Sequence, residues 1–256
     1  MIRPLVCHVV TALLALVATA GPVVASTPAT EEGFRPIFDG KTLDGWTTFD
    51  PAYWSVADGA ITATITKDHP LKENRYLIWK GADDAPAGRL ADFELKLKSR
   101  VRGEGAINNG FQFRSKLLPN GWDVAGYQVD NNLNVGGVSP WLVRLYDEHG
   151  RETLALRGQR TTFSPDGKAT KEEIKEAAGE PWFRLEDWHE YHLACVGTRL
   201  TLKVDGRLAA EVVDNDAAQA DAAGILGLQL HSGPPTVAQF KDVRLKVLNR
   251  AEPAKQ

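Results

Sequence analysis

Cysteine is nearly absent from this chain. Of the two present, Cys7 lies in the apolar leader and Cys195 is then alone, so no disulfide can staple the mature fold and its core must suffice. The sequence has no glycine-rich phosphate loop opening a helix, no His-Glu-x-x-His, no Cys-x-x-Cys and no Gly-x-Ser-x-Gly. These gaps disfavour nucleotide, zinc and serine-nucleophile chemistry. A Glu-x-Asp-x-x-Glu spacing is also missing, which argues against a standard glycosidase with paired carboxylates on one strand. Charge of neither sign dominates: 30 basic and 33 acidic residues give a formal net charge of -3. With the two signs mixed along the chain, neither nucleic acid nor an anionic membrane surface is an attractive partner.

The one long apolar run is at the start. MIRPLVCHVVTALLALVATAGPVVAS places Arg3 before a hydrophobic stretch closed by small residues, the pattern of a signal peptide cleaved after Ala25. The expected organisation is a signal peptide at 1–25, a polar leader at 26–33, one domain at 34–248 and a tail at 249–256. The mature protein is then exported to the periplasm or the exterior without membrane insertion.

Short alternating segments separated by Gly, Asp, Asn and Pro fill the domain. Asp58-Gly59 and Asp205-Gly206 each lie between two such runs, the dipeptide that tight hairpins favour. Further strands are expected at 76–80, 91–101, 109–114, 126–130, 142–147, 190–196, 224–231 and 238–248. The fold class is therefore all-β, an antiparallel sandwich or barrel. Residues 161–188 interrupt the rhythm as a long decorated loop, with a short helical patch expected around 170–178.

Three of these strands carry polar residues in alternating pairs. Gln112 and Arg114 oppose Phe111 and Phe113; Gln128 and Asp130 oppose Tyr127 and Val129; Gln229 and His231 oppose the leucines of GILGLQLHS. Alternate side chains of a strand share one face. If the three strands share a sheet, that face becomes a fixed hydrogen-bonding surface, although a satisfied structural network would look the same. VRLYDEHGR adds Arg144 and Tyr146 on one side of a strand, then a turn with Asp147, Glu148 and His149. Trp46, Trp122, Trp141, Trp182 and Trp188 lie in or near loops, where some can stack on sugars and others plug the core.

FRPIFDGKTLDGW, INNGFQFRS, GYQVDNN, RLYDEHGR, DWHEYHLACVGTRLTLKVDGRLAAEV and GILGLQLHSGPPTVAQFKDVRL occur in that order over residues 34–248. Together they resemble the 3-keto-disaccharide hydrolase domain family. The resemblance implies a concanavalin A-like jelly roll and action on glycosides already oxidised to a ketone at C3. Gln112, Arg114, Tyr127, Gln128, Asp130, Tyr146, Asp147, Gln229 and His231 each sit in their family motif.

A C3 ketone acidifies the C2 proton, so a base can remove it and the C1 substituent can leave by β-elimination, with water added afterwards. Such a site needs a base near neutrality, donors for the enolate oxygen and a proton for the leaving group. Histidine suits the first task, with an ordinary pKa of ~6.5. His231 is accordingly expected as base or acid, Asp130 as its orienter, and Tyr146 as a source of the leaving-group proton. Gln112, Arg114, Gln128, Gln229, Arg144 and Trp141 are expected to bind the carbohydrate. No cofactor is evident, and a divalent metal is open through Asp130, Asp147 or His231. The rival readings are a non-catalytic carbohydrate-binding module and an interaction domain of the cell envelope, since a sandwich supports either.

Overall fold

A computed structural model describes residues 31–133, 142–179 and 181–248. The expected signal peptide, most of the expected polar leader, Trp141 and the whole expected tail lie outside them. Two large sheets face each other. One has ten strands and includes Phe93–Gly103, His189–Val196, Arg199–Val204, Arg207–Asp214 and Thr236–Val247. The other has seven, with Glu152–Leu156, Arg144–Glu148, Val124–Leu133, Ile107–Leu117, Ile225–Leu230, Arg75–Trp79 and Trp46–Thr48 side by side in that order. Among the described residues pairing is antiparallel apart from Gln159–Phe163 against Arg207–Asp214. Among the described residues no helix is long and apolar enough to cross a membrane.

The alternation read from sequence sets the core. Phe111, Val129, Leu226, Leu228 and Leu230 from the smaller sheet meet Leu95, Leu97, Tyr191, Leu193 and Phe240 from the larger, all buried. Phe111 and Tyr191 touch edge to face across the layers, with ring centroids 5.9 Å apart, a preferred aromatic geometry. Both Asp-Gly hairpins form as expected. Asp58 and Gly59 have φ of 52° and 72°, and Asp205 and Gly206 have 50° and 77°, the left-handed pair that matches strand twist in a two-residue loop.

The helical patch at 170–178 is corrected. Ala169–Glu173 is an exposed edge strand, followed by a single 3-10 turn at Lys175–Ala177. A stretch this short cannot offset the cost of nucleating a helix. As a strand it pairs with Gln159–Phe163 and sets Glu172 opposite Arg160, 3.6 Å apart.

A bulge in Ile107–Leu117 determines what reaches the outer face. Between Gln112 and Ser115 this strand has one residue more than either neighbour, and Arg114 there takes a left-handed φ of 48°. The extra residue breaks the two-residue period and redirects the side chain.

Candidate functional site

The outer face of the seven-stranded sheet gathers polar residues from four adjacent strands. Val124–Leu133 supplies Gln128 and Asp130, Arg144–Glu148 supplies Arg144, Tyr146 and Glu148, Ile107–Leu117 supplies Asn108, and Ile225–Leu230 supplies Gln229 with His231 just beyond its end. They line a basin of about 100 Å³. Cross-strand register explains the convergence: Gln128 stands opposite Tyr146 on one side and Gln112 on the other, and Asp130 opposite Arg144 and Gly110. Directly opposite residues share a face and lie within side-chain reach.

Gly110 makes room in the floor of the basin. A Cβ there would lie 2.5 Å from the Val129 carbonyl oxygen and 2.8 Å from Gln128 Nε2, so only glycine lets the glutamine amide lie across it.

Asp130 is almost fully buried, and its carboxylate accepts from Arg144 Nε at 2.6 Å. Burial pushes the Asp130 carboxyl up, against the pull of the Arg144 charge. Arg144 also donates to Thr153 Oγ1 and lies 4.3 Å from the Tyr146 ring centroid. Asp130 therefore serves Arg144 directly, and the His231 ring is held by a different partner. His231 Nδ1 lies 2.6 Å from the Ser232 carbonyl oxygen. A carbonyl only accepts, so Nδ1 carries a proton, and in the neutral tautomer the lone pair is on Nε2. The Ser232 amide in turn donates to Asn74 Oδ1 at 2.9 Å, anchoring the loop that carries the ring.

Glu148 has the most informative environment. Burial pushes its carboxyl up to about 7, with Asp130 and Asp123 reinforcing the rise and His149 and Arg144 opposing it. It is poised to hold or release a proton at neutral pH. Sequence placed Glu148 in a turn, but the strand runs through it, so Arg144, Tyr146 and Glu148 continue one alternation. Counting two residues further would have found it. Burial likewise pushes the Tyr146 hydroxyl up, with the Glu148 charge adding to the effect.

Several buried amide atoms have no hydrogen-bond partner among the described residues: Gln128 Nε2, Gln112 Nε2, Asn108 Oδ1 and Gln229 Oε1. Such atoms are costly unless water or a ligand completes them. Gln112 shares the basin's face but is fully buried beneath it, its Oε1 accepting from Ser115 Oγ. Gln229 Nε2 donates to Tyr76 Oη at 3.4 Å.

Arg114 is not at the basin. Redirected by the bulge, its guanidinium donates to the carbonyls of Ala91 and Gly197 and to Asp92 Oδ1. It lines a separate cavity of about 670 Å³ with Leu90, Leu200 and Val247. That cavity is the larger, yet its arginine is engaged by the fold, whereas the unpartnered amides named above belong to the basin's face.

Tyr127 faces inward and donates to Asp214 Oδ2 at 2.5 Å. Asp147 lies opposite Tyr127, on the other side of its strand from Tyr146, and accepts from Arg151. Asp130, Asp147 and His231 are thus not one ligand set, and among the described residues no cluster of three metal-ligating side chains occurs.

Of the tryptophans expected near loops, Trp46 is buried with Nε1 donating to the Ile37 carbonyl. Trp182 donates to the Val204 carbonyl, and Trp188 lies beside Arg100 and Lys241. Trp122 packs near Arg75, next to the Tyr76 that Gln229 contacts.

Comparison with known proteins agrees with this architecture. A family model for the 3-keto-alpha-glucoside-1,2-lyase-like domain matches residues 33–246, and the chain belongs to that family. A search of curated protein sequences finds no match. Among solved structures, a proposed glycosyl hydrolase from Parabacteroides distasonis is similar, with 18% identity, 85% of this chain and 95% of that chain covered, and a TM-score of 0.53. A Bacillus subtilis protein with a galectin-like fold gives 11% identity, 82% and 92% coverage and a TM-score of 0.54. The VIP36 exoplasmic/lumenal domain gives 11%, 87% and 93%, with a TM-score of 0.56. At these identities the likeness is one of fold, a jelly-roll sandwich.

Proposed function

We propose that the protein is an exported enzyme that cleaves the glycosidic bond of 3-keto-glycosides, including 3-keto-disaccharides, by elimination followed by hydration. Family membership supports the substrate class. The observation that carries the chemistry is a carboxyl held at about 7 in the same basin as a histidine whose Nδ1 is engaged by a carbonyl, over a floor of amide atoms with no hydrogen-bond partner among the described residues.

In this reading His231 Nε2 takes the C2 proton, and the electron pair of the broken C–H bond moves toward the C3 ketone, giving an enolate. Gln128 Nε2 and the Arg144 guanidinium stabilise the new oxyanion as donors in place before the reaction. The enolate then collapses, the C1–O bond breaks, and protonated Glu148 gives its proton to the departing oxygen. Water adds across the resulting double bond, its hydroxyl to C1 and a proton back to C2, for net hydrolysis. Glu148 suits the acid step better than Tyr146, whose hydroxyl is pushed further from neutrality and so gives up a proton less readily. Tyr146 instead offers a hydrogen bond to the substrate, as do Gln229 and Asn108. Asp130 holds Arg144 in place.

The test is incubation with 3-keto derivatives of several disaccharides, following free sugar and any unsaturated 3-keto species by mass spectrometry. Release of free sugar with transient unsaturated intermediate is expected. Binding of ordinary glycans with no loss of any 3-keto substrate would instead make the domain a carbohydrate-binding module.

A further inference from the structure

Phe49 is the most exposed large apolar side chain among the described residues, at 62% of its surface. One exposed phenylalanine means little by itself, but this one has company. The Arg75 guanidinium lies 5.7 Å from the Phe49 ring centroid and 5.2 Å from that of Trp122, so one planar cation brings together two rings from distant parts of the chain. Arg75 is held from behind, with Nη1 donating to the carbonyls of Glu73 and Asn74. Its Nε is buried without a hydrogen-bond partner among the described residues. Asp50 and Glu73 stand off at 3.9 Å, beyond hydrogen-bond range.

Four links tie this group to the basin. Tyr76, next to Arg75, contacts Gln229. Asn74, on the other side of Arg75, anchors the Ser232 amide beside His231. Phe49 follows Thr48, which pairs with Leu77, and so comes level with Tyr76. From the opposite direction, Asp123, next to Trp122, bonds His149 at 2.8 Å and raises the Glu148 carboxyl. Asn120 Oδ1 accepts from the amides of both Trp122 and Asp123, which fixes the Trp122 loop before any ligand arrives.

We propose that Phe49, Arg75 and Trp122 form the leaving-group subsite of the basin, and that it favours glycosides whose aglycone is a planar aromatic ring. The inference rests on the 3-keto-glycoside reading for the position of the scissile bond. An aromatic ring stacks on both neighbouring rings and on a guanidinium, and the cation gains further as negative charge develops on a departing phenolic oxygen. A saturated alkyl group offers no such face.

The experiment compares phenyl and methyl 3-keto-glucosides with the wild type, Phe49→Ala and Trp122→Ala. Using the ratio of kcat/KM for the two substrates cancels their intrinsic difference in leaving ability. Each substitution should lower the phenyl-to-methyl ratio by about 3- to 10-fold, as expected for loss of one stacking contact, with the thermal midpoint as the check on folding. An unchanged ratio, or equal losses for both substrates, would overturn the proposal. Affinity for unoxidised phenyl glucoside, read by tryptophan fluorescence and calorimetry, separates the two ideas. If no 3-keto-glycoside is turned over, the enzymatic reading fails, while tighter binding of phenyl than methyl glucoside, lost in both variants, keeps the aromatic subsite. Equal binding of the two in that case removes the subsite as well.

Discussion

Replacing Glu148 with glutamine should stabilise the protein at alkaline pH while reducing its turnover. The carboxyl is held at about 7 against an ordinary 4.5, chiefly by burial. At ~1.4 kcal/mol for each tenfold change in proton affinity, that disfavours the charged form in the fold by at most about 3 kcal/mol. The folded pKa lies above the unfolded one, which sets the sign. The stabilisation from the protonated side chain is complete below about 4.5 and is lost as the pH climbs through 7. Wild-type stability should therefore carry a downward slope of up to ~1.4 kcal/mol per pH unit across that window. A neutral amide of nearly the same shape has no proton to lose, so the Glu148→Gln variant should lack this component. Urea unfolding of both proteins at about pH 5 and about pH 8 measures it, and the gap between them should shift in the variant's favour by about 2 to 3 kcal/mol. In parallel, kcat should fall by about 10²- to 10⁴-fold, the usual contribution of a general acid. Identical pH slopes for the two proteins would refute the buried-carboxyl argument, and unaltered turnover would refute its catalytic use.

The neighbouring residues should separate by role. His231→Ala should reduce kcat on a 3-keto-glucoside by about 10²-fold or more, and full turnover in a coupled free-sugar assay would remove His231 from the chemistry. Asp130→Ala strips the Arg144 guanidinium of its buried partner and should cost about 3 kcal/mol or more in urea unfolding, with a loss of kcat as well. Arg114→Met should also destabilise, by about 3 kcal/mol through loss of its buried ion pair. Since Arg114 lies outside the basin, its KM for a 3-keto-glucoside should stay within about twofold of wild type.

Strand positions and core faces were legible because burial on one side of a strand imposes a period of two, and every segment keeps its own record of it. The leucines at 226, 228 and 230 and the Asp-Gly turns behave as that record says. The same rule brought Gln128, Asp130, Arg144, Tyr146, Gln229 and His231 to one face. It failed for Arg114, because a single inserted residue resets the period and an arginine carries no sign of a left-handed backbone in its identity. It also stopped one step short of Glu148, since the end of a strand is set by pairing with a neighbour.

From the sequence alone came a disulfide-free all-β sandwich and the polar alternation on its strands, because composition and periodicity are properties of a chain read locally. Only the tertiary structure decided which polar residues meet. The Asp130–Arg144 pair, the diversion of Arg114 and the raised pKa of Glu148 all depend on distances and burial between different strands. A carboxyl acquires its proton affinity from whatever surrounds it, and those surroundings exist only once the sheet has formed.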